Sequence, residues 1–341
     1  MKRILITGAQ GFLGRYLVRA LDRSGMTIEM LGLGRSPASE HCFTHRLDWL
    51  GHNRPAPLPH DPDGPIRSPY CYRQVDICDQ SALVALFSEF QPHWVFHLAS
   101  GLRDDSPAGL CRTNVEGSTV LTQALVDAGC RPEKVVYGSS GSVYGVPRQL
   151  PLDEDAATEP CNLYGITKLA GERSSRLLTD QNELPAVWAR LFNLVGPGQD
   201  ERHVCGYFAG SLAHMLTSAR ARRMSVGPLT ATRDFIDVRD AARALVLLAS
   251  AGQPGQTYNI ASGYEVAISE VLASLLQHAG LTDQVRIDEA TARAGDVARH
   301  VADVKRLKRI GFAPQMSLHR SLHDLLNYYT TQVACAAILT T

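Results

Sequence analysis

Apolar and polar positions follow two rhythms over the first 190 residues. Residues 3–7 form a short apolar run read as a strand, and residues 12–23 carry helical periodicity that ends near Gly25. Residues 27–33 read as a second strand. Residues 93–98 (HWVFHL) and 134–137 (KVVY) read as buried strands, with helices at 81–90 and 113–128 between these stretches. Strands alternating with helices predict an α/β fold with a parallel sheet covered on both faces, a doubly wound arrangement. Such sheets bind ligands beyond the carboxyl ends of their strands. Farther along, helices are expected at about 207–221, 238–251 and 269–278, and a strand at 257–260.

Two stretches break the pattern. Residues 37–69 hold seven prolines (Pro37, Pro55, Pro57, Pro59, Pro62, Pro65 and Pro69) together with Gly51 and Gly64. A loop this long inside a domain is either a functional excursion or a mobile segment. Residues 196–232 contain a Gly-Pro turn, a helix and a second Gly-Pro break at 227. The length of 341 residues fits one large domain or two small ones.

Charge and cysteine usage narrow the partners. Lys plus Arg is 34 and Asp plus Glu is 34, so the net charge is zero, without the basic excess a nucleic-acid binder needs. Apolar runs such as 244–249 and 333–339 fall far short of the roughly 20 residues of a membrane span. Gly8 and Gln10 cut the first apolar stretch too short for a signal peptide, so no membrane partner and a cytoplasmic location are expected. Eight cysteines include no C-x-x-C pair, which favours reduced thiols over a disulfide framework or metal site. His41, His45, His52 and His60 lie in the Pro-rich stretch and read as loop decoration, so no metal is expected.

Candidate chemistry begins right after the first strand, at Thr7-Gly8-Ala9-Gln10-Gly11-Phe12-Leu13-Gly14. Gly8 permits a tight strand-to-helix turn, Gly11 lets the backbone approach a pyrophosphate, and Gly14 lets the helix pack on the strand. The helix N-terminus then faces an anion. Position after a strand and before an amphipathic helix makes dinucleotide binding the reading. Farther on, Tyr164 and Lys168 are spaced i, i+4 and share one helix face. A phenol with a reference pKa near 10 becomes a usable proton donor or acceptor beside an ammonium, as carbonyl and alcohol chemistry requires.

The motif TGAQGFLG resembles the glycine signature of the extended short-chain dehydrogenase/reductase family, the NAD-dependent epimerase/dehydratase type that modifies nucleotide sugars. The resemblance continues at intervals to about residue 330. It implies a Rossmann-type sheet with a smaller C-terminal α/β lobe for substrate. Gly8, Gln10, Gly11, Phe12, Leu13 and Gly14 would hold the cofactor, with Asp76 and Ile77 (VDICD) beside the adenine. Leu98, Ala99 and Ser100 (HLAS) and Leu191 would line the cofactor, and Asn114 would prop the backbone of the site. NAD-specific members end the second strand with an acid. Here the chain reads Gly34-Arg35-Ser36, where Gly34 leaves room for a 2′-phosphate that Arg35 and Ser36 would bind. NADP(H) is therefore favoured, with NAD(H) the alternative.

The segment Ser139-Ser140-Gly141-Ser142-Val143-Tyr144-Gly145 is similar to the family strand end that carries the catalytic hydroxyl, which places it at Ser140 with Ser142 nearby. Together with Tyr164 and Lys168 this resembles the family's catalytic trio. Tyr164 would exchange the proton, and Lys168 would hold the nicotinamide ribose and lower the Tyr164 pKa. Dehydratases of the family carry Asp-Glu after the hydroxyl residue; Gly141 and Ser142 stand there instead, which argues against dehydration by the usual route. Asn193 in ARLFNLVGPGQ, Arg233 in RDFIDVRD, and Arg293 with Asp296 in RAGD resemble the elements that meet a nucleotide-diphosphate sugar. Two guanidiniums suit a pyrophosphate.

Within that family, ARLFNLVGPGQ, TRDFIDVRDAARALVLL and GQTYNIASG most resemble reductases of GDP-4-keto-6-deoxymannose. This implies NADPH-dependent reduction of a 4-keto-6-deoxyhexose nucleotide, GDP-linked. The alternatives are an NAD-dependent nucleotide-sugar 4-epimerase and a non-catalytic NADP(H)-binding regulator. The resemblance also implies a homodimer through the helices at about 113–128 and 162–178. Residues 1–192 and 235–261 would form the cofactor domain, 193–234 and 262–330 the substrate lobe, and 331–341 a tail.

Overall fold

A computed structural model describes residues 1–49, 52–60, 64–217, 222–291 and 297–338. The first half runs β1 (Lys2–Thr7), α1 (Phe12–Asp22), β2 (Ile28–Gly34), β3 (Cys42–Trp49), β4 (His52–Pro57), β5 (Tyr70–Gln74), α2 (Gln80–Phe90), β6 (Trp94–His97), α3 (Pro107–Leu110), α4 (Gly117–Asp127), β7 (Lys134–Ser140) and α5 (Leu163–Gln181). The second half runs β8 (Ala186–Leu191), β9 (Asn193–Val195), α6 (Val204–Thr217), β10 (Arg223–Val226), β11 (Thr232–Asp237), α7 (Val238–Ala251), β12 (Thr257–Ile260), β13 (Glu265–Ala267), α8 (Ile268–His278), β14 (Arg286–Glu289), β15 (Arg299–His300), α9 (Lys305–Arg309) and α10 (Leu318–Ile338).

Seven strands form one sheet in the order β12-β8-β7-β6-β1-β2-β5, and every neighbouring pair is parallel. The chain winds outwards from β1 to one edge, then from β6 to the other. The switch of direction between β1 and β6 opens a crevice at the carboxyl ends, where such folds bind ligands. Period-two alternation in β1 sends Ile4 and Ile6 to the face covered by Leu13, Leu17 and Leu21 of α1 and Leu245 and Leu248 of α7. Leu5 points the other way, with Val95 and Val135, against Leu83 and Phe87 of α2 and Leu121 and Leu125 of α4. Burial on both faces explains why these strands read as continuous apolar runs. Each such side chain contributes about 1.5–3 kcal/mol.

Strands β5 and β8 have no counterpart among the strands expected from the sequence. β5 lies at the sheet edge, its residues exposed or half-buried, so it lacks an apolar run. β8 carries Arg190 in an otherwise buried strand. The helix expected at 113–128 starts as a π-helical turn over Cys111–Glu116 before α4. The helix expected at 207–221 is α6, and residues 218–221 lie outside the described residues.

The Pro-rich stretch is structured where it is described. β3 and β4 pair as an antiparallel hairpin with an irregularity between Cys42 and Arg46. Phe43, Leu47 and Ala56 enter a second core with Phe208, Leu212, Leu325 and Tyr329. His45 and His52 therefore belong to strands, a correction to their reading as loop decoration: the prolines sit where a two-stranded hairpin tolerates a missing donor. Around that second core stand α6, α8, α10, the sheet of β13, β11, β15 and β9, and the pair β10–β14. Among the described residues no helix is long and apolar enough to cross a membrane.

Candidate active site

The glycine-rich turn lies at the carboxyl end of β1, in the crevice. Gly8 has φ +69°, and a Cβ there would lie 2.8 Å from the Ala99 nitrogen; one at Gly14 would lie 2.2 Å from the Gly8 carbonyl. Only residues without side chains allow β1, β6 and α1 to meet this closely. Gly11 caps α1 without a side-chain hydrogen bond, and the first turn of α1 holds no acid. Its N–H groups and positive dipole end thus suit an anionic pyrophosphate. Gln10 is buried, and Phe12 packs edge-on to Tyr16 and Phe43.

Strand β6 ends beside this cradle. Leu98 N–H donates to the Thr7 carbonyl and Ala99 N–H to the Thr7 hydroxyl at 3.1 Å. Asn114, in the π-helical turn, accepts from Gly101 N–H (2.9 Å) and the Ser100 hydroxyl (3.0 Å) and donates to Thr167 on α5 (2.9 Å). It fastens the strand end to α5. Asp76 accepts from Cys78 N–H and from Arg112 at 3.0 Å, and Ile77 is buried near Gly117.

Gly34 ends β2. A Cβ on Gly34 would lie 2.7 Å from the Tyr72 hydroxyl, which donates to the Ser36 carbonyl. The missing side chain at Gly34 thus lets the Tyr72 hydroxyl come close to the end of β2. Arg35 is exposed; its carbonyl accepts from Gln74, and no interaction of its guanidinium with the described residues is found.

Ser140, Tyr164 and Lys168 come together beyond the end of β7. Ser140 caps a 3-10 turn over Gly141–Tyr144 by accepting from Ser142 N–H at 3.1 Å, which holds Ser142 next to it. Asn162 caps α5 by accepting from Gly165 N–H, which sets Tyr164 in the first turn. Burial raises the Tyr164 phenol, against hydrogen bonding with Ser140 and Ser100 that lowers it. Lys168 donates to the Gly138 carbonyl at 2.5 Å, and burial lowers its ammonium to about 8 while Glu172 raises it. At Tyr164 burial is the largest influence, and the two hydroxyls act against it.

Leu191 is half-buried at the end of β8, in the seven-stranded sheet. The smaller sheet of β13, β11, β15 and β9 contributes Asn193 and Arg233. Asn193 donates to the Asp234 carbonyl at 2.9 Å, and Arg233 donates to the Thr232 carbonyl at 2.7 Å. Arg293 and Asp296 lie outside the described residues.

Several groups escaped the sequence reading. His300 makes a 3.2 Å hydrogen bond with the Gly141 carbonyl and packs 4.8 Å from the Phe192 ring, backing the turn that carries Ser140. Burial, then Arg233, pushes it down to about 4. His97 lies between Thr7 and Ser118 (2.8 and 3.0 Å), pushed to about 3 by burial and then Lys168. Buried Arg190 pairs with Glu172; Glu172 stands four residues after Lys168, a spacing that was legible. Asp234 accepts from Ser262 and from Gly263 and Ala302 N–H groups. Asp237 pairs with Arg239 and accepts from Ser321. Asp234 thus ties β11 to the turn after β12 and to Ala302, and Asp237 ties it to α10.

The sequence model of the NAD dependent epimerase/dehydratase family matches residues 4–261. A GDP-6-deoxy-D-mannose reductase of Pseudomonas aeruginosa is 29% identical, covering 97% of this chain and 98% of its own. A UDP-glucose 4-epimerase of Mycolicibacterium smegmatis is also 29% identical, covering 96% and 98%. The solved structure of RMD from Pseudomonas aeruginosa complexed with NADPH superposes with a TM-score of 0.78 at 28% identity, covering 97% of this chain and 100% of that one.

Proposed function

The chain belongs to the NAD dependent epimerase/dehydratase family, and from that premise we propose that it reduces the 4-keto group of a nucleoside-diphosphate 6-deoxyhexose, GDP-linked, with NADPH. The observation that carries this reading is the meeting of Tyr164 with Ser140 and Ser100 beside the glycine cradle, with Lys168 one turn along α5. Its chemical class, a NAD(P)-dependent nucleotide-sugar enzyme, is that of its relatives.

The glycine cradle, with Asp76, Ile77, Leu98, Ala99, Ser100 and Leu191, would hold the dinucleotide. When bound, the nicotinamide supplies the hydride. Ser140 donates to the carbonyl oxygen of the substrate and orients it. Tyr164 gives its phenolic proton to that oxygen as charge develops there, a step in which a raised phenol pKa keeps the proton available at neutral pH. Lys168 holds the nicotinamide ribose. Asn193 and Arg233 would meet the sugar nucleotide, and Arg293 and Asp296, assigned by the sequence resemblance alone, would join them, with the guanidiniums on the diphosphate. Gly141 and Ser142, where dehydratases carry Asp-Glu, support reduction over loss of water. Arg35 and the absence of an acid after β2 support NADP(H), the cofactor in the solved RMD complex.

We take residues 1–192 and 235–261 as the cofactor unit and 193–234 with 262–330 as the substrate lobe. A homodimer through α4 and α5 is part of the reading, supported by Ile166 and Leu177, which remain 50% and 60% exposed on α5. The 4-epimerase is the second reading, favoured by the equal identity of the UDP-glucose 4-epimerase.

The test is to release and identify any cofactor from the purified protein, then follow NADPH oxidation with GDP-4-keto-6-deoxymannose. Turnover supports reduction. Co-purified NAD with interconversion of hexose nucleotides and no added cofactor establishes the epimerase instead. No turnover of any sugar nucleotide overturns both and favours an NADP(H)-binding regulator.

A further inference from the structure

Tyr164, Lys168 and Glu172 stand at i, i+4 and i+8 on one stripe of α5, facing β7 and β8. Glu172 is 6% exposed. Its carboxylate accepts from the Ser139 hydroxyl at 2.6 Å and from Arg190 through two nitrogens at 2.6 and 3.2 Å. Arg190 is itself fixed by donation to the Glu154 carbonyl at 3.0 Å, with its guanidinium 4.8 Å from the Tyr144 ring. A cavity of about 10 Å³ lies behind Lys168, lined among others by Asn114, Gly138, Ser139, Lys168 and Glu172. It has room for the centre of one water and more than the two to four polar partners a buried water uses.

We propose that Glu172 is a positioning residue for the Tyr164–Lys168 pair, its carboxylate fixed by Arg190 and Ser139 and linked to the Lys168 ammonium through one water in this cavity. The inference rests on the proposed roles of Tyr164 and Lys168. Its physical basis is that a buried ammonium is costly unless an opposite charge and hydrogen bonds compensate it. The Gly138 carbonyl supplies one hydrogen bond to Lys168, and a carbonyl carries no net charge. Of the other titratable groups around it, His97 on β6 is neutral near pH 7 and Tyr137 on β7 is neutral as well. Tyr164 is a protonated phenol, and Arg190 on β8 adds positive charge beyond Glu172. Among the described residues Glu172 is therefore the carboxylate placed to hold up the Lys168 ammonium against burial, which otherwise lowers it further.

The experiment reads Lys168 directly and needs no substrate. The chain has five lysines, Lys2, Lys134, Lys168, Lys305 and Lys308. Protein labelled with 13C at the lysine ε-carbon gives resolvable resonances, and Lys168→Arg assigns the one in question. In Glu172→Gln the Lys168 titration midpoint is expected to fall by about 1 pH unit, since an opposite charge at close range shifts a partner by that order. The alkaline limb of turnover should move to lower pH with it. An unchanged midpoint in folded Glu172→Gln overturns the inference, because a merely structural role would alter unfolding and leave Lys168 where it was. If the single variant does not fold, Glu172→Gln with Arg190→Gln avoids leaving Arg190 without its carboxylate, and a fall of the Lys168 midpoint is still expected because Glu172 is the nearer of the two charges. A shifted midpoint without turnover of any nucleotide sugar supports Glu172's hold on Lys168 and refutes the proposed reaction. Turnover with an unmoved midpoint does the reverse.

Discussion

The two walls of the crevice are built in different ways. On one side, Ser140, Tyr164 and Lys168 hang from neighbouring pieces of a single motif, the end of β7 and the first turns of α5, with the glycine turn after β1 close by. On the other, Asn193, Arg233 and His300 come from three short strands of a different sheet, fastened by buried carboxylates such as Asp234. The β3–β4 hairpin wedges between the two: Thr44 N–H donates to the Gln10 carbonyl in the glycine turn, while Phe43 packs on Gly198 in the loop after β9. Chemistry can be carried by one rigid motif, whereas recognition needs several segments held in register by polar fasteners. Perturbing each wall separately should therefore give different signatures.

The largest effect is expected at the first wall. Tyr164→Phe removes one hydroxyl and leaves the ring in place, so folding should persist while turnover falls by about 10²–10⁴. Arg233→Lys on the other wall should instead raise KM, because it replaces a forked donor by a point charge. Steady-state kinetics on both variants checks the contrast; near-normal kcat in Tyr164→Phe would remove the first wall's claim to the chemistry.

Acid should next discriminate the walls through stability. Burial pushes His97 to about 3, and His45 and His300 to about 4. The unfolded chain takes up their protons near pH 6.5 while the folded chain does not. Their contribution is thus complete above pH 6.5 and is lost as pH falls towards those folded values, by about 1.4 kcal/mol per pH unit for each histidine. Two of the three, His45 and His300, lie on or against the second lobe. Urea midpoints measured from pH 7 to 4.5 should fall less steeply in His45→Gln than in the parent; identical slopes would show that His45 is protonated in the folded chain.

A smaller effect tests the wedge. Gly198 has φ +83°, and a Cβ there would lie 2.2 Å from the Phe43 ring. Gly198→Ala should cost about 1–3 kcal/mol from overpacking and an unfavourable φ. Phe43→Leu in the Gly198→Ala background should recover part of that loss, as contacting residues couple. Thermal unfolding of the two singles and the double measures the coupling, and strict additivity would mean that the hairpin does not bear on this loop.

The difference between the walls also explains what was legible. The sheet was, because strands buried on both faces leave unbroken apolar runs and their helices keep a 3.6-residue period. The glycine turn, Asn114, Ser140, Tyr164 and Lys168 sit at fixed offsets from those runs. Glu172 was within reach, four residues past Lys168, but a charged residue on a helix ordinarily reads as solvated surface. β8 was hidden by Arg190, whose charge is met by Glu172 on α5, a partner 18 residues away in sequence. His300 and Asp234 depend on contacts between segments tens of residues apart, and no local period records those. The β3–β4 hairpin was masked by proline, which is rare in central strands and tolerated in a two-stranded edge.

The smallest of these effects concerns Arg35, and it bears on the first wall alone. Gly34 lets the Tyr72 hydroxyl come close, and on the proposed reading discrimination between the two dinucleotides falls to the charge beside it. Arg35 is exposed and its side chain is held by no described residue, so it can turn towards a 2′-phosphate at little cost in broken contacts. Exposure also limits the gain. Charge-assisted hydrogen bonds are worth about 1.5–3 kcal/mol, less in contact with solvent. Arg35→Ala should thus weaken NADPH binding about tenfold and leave NADH binding unchanged, measured by fluorescence titration at low and high salt. The NADPH loss should shrink as salt rises, because an exposed charge pair is screened. Equal losses for both dinucleotides would instead mean that the variant disturbs the glycine turn they share.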